Sequence, residues 1–292
     1  IVFVENGSER VSVNMIISPY GLEKIRDQVE SRGVFHDYFQ VGKIVSASVL
    51  SSQLIELAAI PEVKSIWPER MFHATLDASV NQINAPALWS AGYTGNGIKV
   101  AVLDTGINAS HPMLQGKVVS AVSFTGEPVQ DMIGHGTHVA GIIAGKQNGA
   151  NTYNGVAPDA QVLNVKVLDN TGFGAESWII SGINYALNPD GNSATNDGAN
   201  VLNLSLGGPY TDPNSPVVAA VEDAIASGAV VVIASGICGP GCPDPNCQGF
   251  IGVETPGDAA NAITVGAVDD FSNAACFSSG GIINNQTKPD VV

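Results

Sequence analysis

A chain of 292 residues, 45% apolar with 33 glycines and 16 prolines, can bury a sizeable core and points to one large globular domain with a smaller companion rather than to disorder. Its 12 lysines and arginines against 27 aspartates and glutamates give a formal charge of −15. That excludes the basic clusters a nucleic acid needs and suits solubility outside a cell, and no apolar run approaches the roughly 18 residues of a membrane span.

Residues 1–72 have the texture of a small α+β unit. "VSVNMIIS" alternates like a strand, "GLEKIRDQVESRG" has helical spacing closed by Gly33, and "KIVSASVL" alternates again. "SSQLIELAAI" opens on a serine cap, and "VKSIWP" is a short strand stopped by Pro68. The order β-α-β-α-β predicts an antiparallel sheet with two helices on one face. Residues 69–96 have the composition of a linker, with the short segment "NQINAPALWSAGYTG" ending in a turn. The chain starts at Ile1 with neither a charged nor an apolar leader segment, so an export signal is expected to be removed or to lie outside it.

From Gly97 the pattern changes to buried strands alternating with helices. "IKVAVLD", "AQVLNVKVL", "NVLNLSL", "AVVVIAS" and "AITVGAV" are nearly continuous apolar runs, as in strands covered on both faces. Helical stretches are predicted at 136–146, 175–187 and 215–227. The expected fold class is α/β: an open parallel sheet with helices on both faces over 73–292, preceded by the small α+β unit. Chemistry in such a sheet collects at the carboxyl ends of strands. No internal repeat is evident.

Asp104 closes "VAVLD" before the turn pair Thr105-Gly106, which puts a carboxylate at the carboxyl end of a central strand. His135 stands between glycines in "IGHGTHVAG", at the start of a helix whose positive end disfavours imidazolium, so a neutral ring able to accept a proton is expected. A base histidine needs an orienting carboxylate on one nitrogen and a nucleophile on the other, and Asp104 can supply the first. His138 lies one turn further on. The cysteines at 238, 242, 247 and 276, three of them in "ICGPGCPDPNCQG", favour disulfides over zinc because tight CxxC pairs are missing, and three pairings stay open.

"VAVLDTGINASHP" followed by "GHGTHVAG" resembles the aspartate and histidine signatures of the subtilisin-like serine proteases, and "SWIISGINYA", "LNLSLGG", "GVAP" and "AITVGAV" are also similar to family segments. The resemblance covers about residues 80–292, and residues 1–72 are similar to the family's propeptide, an inhibitor and folding chaperone. It implies a secreted, monomeric endopeptidase acting on polypeptides, held by its own propeptide, without a catalytic cofactor and without nucleic-acid or membrane partners. It makes Asp104 the orienting acid, His135 the general base and His138 structural. It places Ser205, Leu206, Gly207 and Gly208 along the pocket for the side chain preceding the cut bond. Gly172, Phe173 and Gly174 become an edge that pairs with extended substrate, where glycines admit a second backbone and Phe173 favours apolar side chains. Propeptide cleavage is expected between Phe72 and Ser79.

Three departures accompany the likeness. The family's nucleophile follows a segment like "KPDVVAPG", and this chain reads only to "KPDVV"; Ser278 and Ser279 match a structural segment, so the serine is expected beyond Val292 and this chain alone is expected to be inactive. The asparagine that usually donates to the oxyanion is replaced by Ile237 in "ASGICGPG", with Asn246 as a remote substitute. Met113 follows "HP" where an aspartate often binds calcium, and "KQNGANTYNG" has one extra residue; Asp190, Asn192 and Asp197 in the loop 188–198 instead carry the hard oxygens suited to a structural calcium. The rival to the proenzyme reading is a pseudoprotease that binds peptides without cutting them. A dinucleotide site lacks G-x-G-x-x-G, and a metal hydrolase lacks H-E-x-x-H.

Overall fold

The computed structural model describes residues 10–39, 43–68, 76–149, 153–192, 194–241, 247, 249–269 and 271–292. The chain divides into two compact units, Ile1–Ala74 and Thr75–Val292.

In the first unit, strands β1 (Arg10–Ile17), β2 (Val34–Phe39), β3 (Ile44–Leu50) and β4 (Val63–Pro68) form one antiparallel sheet in the order β2-β3-β1-β4. Val13, Met15 and Ile17 of β1 and Val45, Ala47 and Val49 of β3 alternate onto one face. There they pack with Ile25 and Val29 of helix α1 (Leu22–Glu30) and Leu57 of α2 (Leu54–Ala58). The predicted order lacks β2, because a register shift between Phe35 and Asp37 breaks the two-residue period of "VFHDYF". The serine cap is also corrected: Ser51–Gln53 form a 3₁₀ turn, and α2 begins one turn later behind Gln53.

The second unit opens with α3 (Leu76–Gln82) and α4 (Ala85–Ser90), where a linker is expected from composition; residues 69–75 lie outside the described residues. A six-stranded parallel sheet follows, built from β5 (Lys99–Asp104), β6 (Val118–Ser123), β7 (Gln161–Lys166), β8 (Val201–Leu204), β9 (Val230–Ala234) and β10 (Ile263–Val265). The spatial order is β10-β9-β8-β5-β7-β6. Sequence analysis predicts five of these strands; β6 escapes it because an edge strand reading "VVSAVS" is half-exposed.

Helices cover both faces. Val100 and Val102 of β5 and Val162 of β7 pack on Ala140 and Ala144 of α5 (His135–Ala144). Ala101 and Leu103 of β5 and Leu163 and Val165 of β7 turn the other way, onto Ile183 and Ala186 of α6 (Glu176–Leu187) and Val217 and Val221 of α7 (Pro216–Ala226). Helix α7 starts with Ser215 accepting the Val218 N–H and with a proline at its head, and the chain leaves it through Gly228 at φ +98°. A hairpin of β11 (Gly281–Ile283) and β12 (Gln286–Lys288) turns through Asn284 and Asn285, both at positive φ as a two-residue turn requires. Because the chain reverses its direction of winding at β5, a crevice opens at the carboxyl ends of β5 and its neighbours.

Candidate active site

Asp104 is the last residue of β5 and is fully buried. Its Oδ1 accepts the Thr105 N–H at 2.7 Å and lies 2.7 Å from His135 Nδ1. His135, the first residue of α5, keeps 49% of its side chain exposed, so Nε2 is the ring nitrogen not engaged by Asp104. The two meet because α5 abuts the strand end at Gly136, where an added Cβ would lie 3.0 Å from Asp104 Oδ1 and overlap the Gly106 carbonyl.

A second carboxylate, not singled out from the sequence, organises the helix start. Asp131 Oδ1 accepts from Thr105 Oγ1 (3.0 Å), Ile133 N (3.1 Å) and Gly134 N (2.8 Å), and Oδ2 accepts from Thr137 N (2.9 Å) and Thr137 Oγ1 (2.6 Å). Thr105 Oγ1 in turn accepts the Gly136 N–H at 3.0 Å, so the first turn of α5 is capped from outside the helix. Burial pushes the Asp131 carboxyl up, but the donors on Thr137, Gly134 and Thr105 outweigh it and hold the group below its ordinary value.

The shift at His135 runs opposite to the one a helix end alone would give. The hydrogen bond to Asp104 raises the His135 pKa, burial opposes it, and the charges of Asp104 and Asp131 add to the rise. Two carboxylates outweigh the helix end, whose N–H groups are already taken by Asp131 and Thr105. His135 is therefore a stronger base than a free imidazole.

A buried lysine underlies the turn. Lys166 of β7 pairs in register with Asp104, and its Nζ donates to Thr105 O at 2.6 Å and Asn170 Oδ1 at 3.1 Å, with Glu127 Oε2 at 3.5 Å. A charge inside the apolar run "VLNVKVL" is the sequence signal that it must be paired.

A cleft of about 440 Å³ opens beside His135. Gly172, Phe173 and Gly174 line it together with Ser205, Leu206, Gly207 and Gly208, and Leu168, Glu176, Ile179 and Tyr210 are among the remaining walls. All seven of the predicted substrate-binding residues thus surround one space with His135. Phe173 is 72% exposed at its rim. Ile237, at the position expected to donate to an oxyanion, offers a hydrocarbon side chain, and its N–H donates to Glu254 Oε1 at 2.6 Å. Asn246 lies outside the described residues. Ser279 is buried and accepts the Cys238 N–H, and Ser278 accepts the Ala267 N–H, so both act within the loop framework.

Asp190, Asn192 and Asp197 stand in one exposed loop and bond within it. Asp190 accepts from Asn192 N and from Thr195 Oγ1, Asp197 accepts from Asp190 N, and Asn192 accepts from Ala194 N. Met113 is buried. Cys238 and Cys247 form a disulfide, Cys276 is also disulfide-bonded, and Cys242 lies outside the described residues. Among the described residues, the one His/Cys/Asp/Glu group close enough for a metal is Cys238, Cys247 and Glu254, so His138, His135 and Asp104 do not form a ligand set. No helix of the described residues is long and apolar enough to cross a membrane.

Comparison with known proteins meets this geometry. Residues 95–292 match the sequence profile of the Subtilase family, peptidase S8. Subtilisin E of Bacillus subtilis (strain 168) is 36% identical over 276 residues, covering 93% of this chain and 68% of that protein. That span exceeds the second unit and so extends into the first. Subtilisin of Bacillus pumilus is 42% identical over 203 residues, 69% of this chain and 68% of that protein. Subtilisin Savinase of Lederbergia lenta is 42% identical over 204 residues, 69% of this chain and 67% of that protein. With an aspartate and a histidine hydrogen-bonded at the strand crevice and a profile match across the whole parallel sheet, this chain belongs to the subtilase family of serine proteases.

Proposed function

We propose that this chain is part of the proenzyme of a secreted serine endopeptidase, with His135 as general base, Asp104 as its orienting acid and a serine from polypeptide beyond Val292 as nucleophile. The observation that carries the proposal is the 2.7 Å contact between His135 Nδ1 and Asp104 Oδ1 at the edge of a cleft walled by glycines. Asp104 accepts the Nδ1–H and thereby directs the lone pair of Nε2 toward the cleft. The serine oxygen would attack the peptide carbonyl carbon while its proton passes to Nε2. Collapse of the tetrahedral intermediate breaks the C–N bond, the proton moves from Nε2 to the leaving amine, and water repeats the cycle on the acyl-enzyme. Asp104 stays ionised throughout and stabilises the transient imidazolium.

Polypeptides are the proposed substrates, bound as an added strand along Gly172–Gly174 and Ser205–Gly208, with apolar side chains favoured beside Phe173. Residues 1–72 are proposed to act as the intramolecular inhibitor; the alignment with Subtilisin E that reaches into this unit supports that assignment. The Cys238–Cys247 disulfide supports an oxidising, extracellular setting. The enzyme is proposed to work as a monomer, without a catalytic cofactor, nucleic acid or membrane. One observation favours the second reading, a peptide-binding pseudoprotease: Ile237 brings no side-chain donor to the oxyanion position, a loss of roughly 2.7–4 kcal/mol in a comparable site.

Expression of the complete gene product decides between them. Casein should be hydrolysed, hydrolysis should vanish in His135→Ala, and mass spectrometry should find a cut between Phe72 and Ser79. A stop codon directly after Val292, or an intact full-length protein that binds peptides and leaves them uncut, would refute the endopeptidase.

A further inference from the structure

We propose that Glu176 forms a cation-selective subsite of the cleft, so that the preferred substrates carry a lysine or arginine within the stretch of chain that the cleft binds. This rests on the endopeptidase reading above and names its substrate class.

Glu176 is the first residue of α6 and lines the cleft, where it is the one carboxylate among the described residues. Its Oε1 accepts the N–H of Val217, the second residue of α7, at 3.2 Å, a bond that ties the carboxylate across two helices and fixes how it stands. Oε2 has no hydrogen-bond partner among the described residues, yet it is not one of the buried polar atoms left unpaired, so it keeps contact with solvent. The residue as a whole is half-buried. A carboxylate presents about four lone-pair positions, so the bond to Val217 leaves most of its capacity to accept. Among the described residues no lysine or arginine lines the cleft, and no ion pair engages Glu176.

The neighbourhood suits a long side chain with a cationic head. Ile179, one turn further along the same face of α6, and Val217 both line the cleft, so the carboxylate stands beside hydrocarbon surface. The methylenes of lysine or arginine can lie against such a surface while the head reaches the carboxylate in a charge-assisted hydrogen bond. An acidic side chain there would meet like charge, and an apolar one would cover Oε2 without replacing the water it loses. The charge is felt inside the cleft: burial raises the pKa of Tyr210, itself a lining residue, and Glu176 leads the carboxylates that raise it further. The acidic surface of the whole chain, at −15, attracts the same substrates over longer range.

The test uses the full-length protein and a fluorogenic peptide library in which lysine, arginine, glutamate or leucine is placed in turn at each of the four positions on either side of the cut. At one position lysine and arginine should give a kcat/KM about threefold to tenfold above leucine, with glutamate below leucine, the range expected for a half-exposed ion pair. Raising the salt to about 1 M should shrink the difference. In Glu176→Gln, which keeps an acceptor for Val217, the preference for cations at that position should disappear, and in Glu176→Lys glutamate should become the preferred residue there. A carboxylate that only caps α7 would change all peptides alike and produce no such reversal. Absence of a cationic preference at every position, or a preference that survives both substitutions, would overturn the proposal. Should nothing be cleaved, the endopeptidase reading falls, and fluorescence polarisation of the same peptides, labelled, decides the role of Glu176. Tighter binding of the lysine and arginine peptides that is lost in Glu176→Gln upholds the subsite, and equal binding by the two proteins overturns it.

Discussion

Replacing Asp131 by alanine should destabilise the second unit while disturbing His135, although Asp131 touches no substrate. The carboxylate is buried and accepts five hydrogen bonds, three on Oδ1 and two on Oδ2. Ile133 and Gly134 are exposed and can turn their N–H groups to water, which leaves the buried Thr105 hydroxyl and the half-buried Thr137 N–H as the donors stranded at the head of α5. At about 1–3 kcal/mol for each of these two unsatisfied donors, the expected loss is about 2–6 kcal/mol, above the ~1 kcal/mol of an ordinary helix cap. Asparagine should recover part of it, since its oxygen can keep the Oδ1 set while its NH₂ faces the Thr137 N–H. Denaturant unfolding at neutral pH measures the loss. Because the folded Asp131 pKa is depressed, its contribution is present above the ordinary carboxylate range and disappears as pH falls through the lowered value; the alanine variant should therefore lose stability less steeply in acid. NMR titration should also find the His135 pKa lower in the variant, since the Asp131 charge helps to raise it. A loss below about 1 kcal/mol with an unmoved His135 would refute the cap.

Asp104→Asn should reduce kcat of the complete enzyme by roughly 10⁴-fold with KM little changed, because the amide stabilises the wrong tautomer of His135; steady-state kinetics on one peptide checks it. The acid limb of kcat/KM should lie above the ordinary histidine pKa, given the raised value of His135. The linked stability has the opposite sign to that of Asp131: it is fully present below the unfolded histidine pKa and is lost as pH rises through the folded one, which unfolding measured across that window will reveal. Gly136→Ala should lower stability by about 1–3 kcal/mol or more through overpacking against the Gly106 carbonyl, and should weaken the Asp104–His135 hydrogen bond, visible as a fall in the His135 pKa.

How much of this was legible depended on how local the physics is. The five central strands are continuous apolar runs, because a strand covered on both faces has no polar side to show. The edge strand β6, with Val119 and Ala121 exposed and its serines half-buried, and β2, with its bulge, lack a clean period, and the short helices α3 and α4 carry too few turns to show one. Asp104 and His135 stand out because each sits in a local motif at an element boundary. Asp131 does not, since its capping bonds reach across a turn to Ile133, Gly134 and Thr137 rather than following the usual cap spacing. Glu176 is separated from Val217 by 41 positions of sequence, and only the folded chain shows that the two are joined at the cleft. The direction of the His135 shift could not follow from the helix end alone, because it required the number of carboxylates around the ring.

Lys166 has a bearing on portability. Its ammonium sits on the neighbouring strand and clasps the Thr105 carbonyl directly after Asp104. Copying an aspartate and a histidine onto some other parallel sheet would therefore transplant the visible pair and leave behind the fastening that sets its angle, so a graft should bring the adjoining strand with its cation as one cassette.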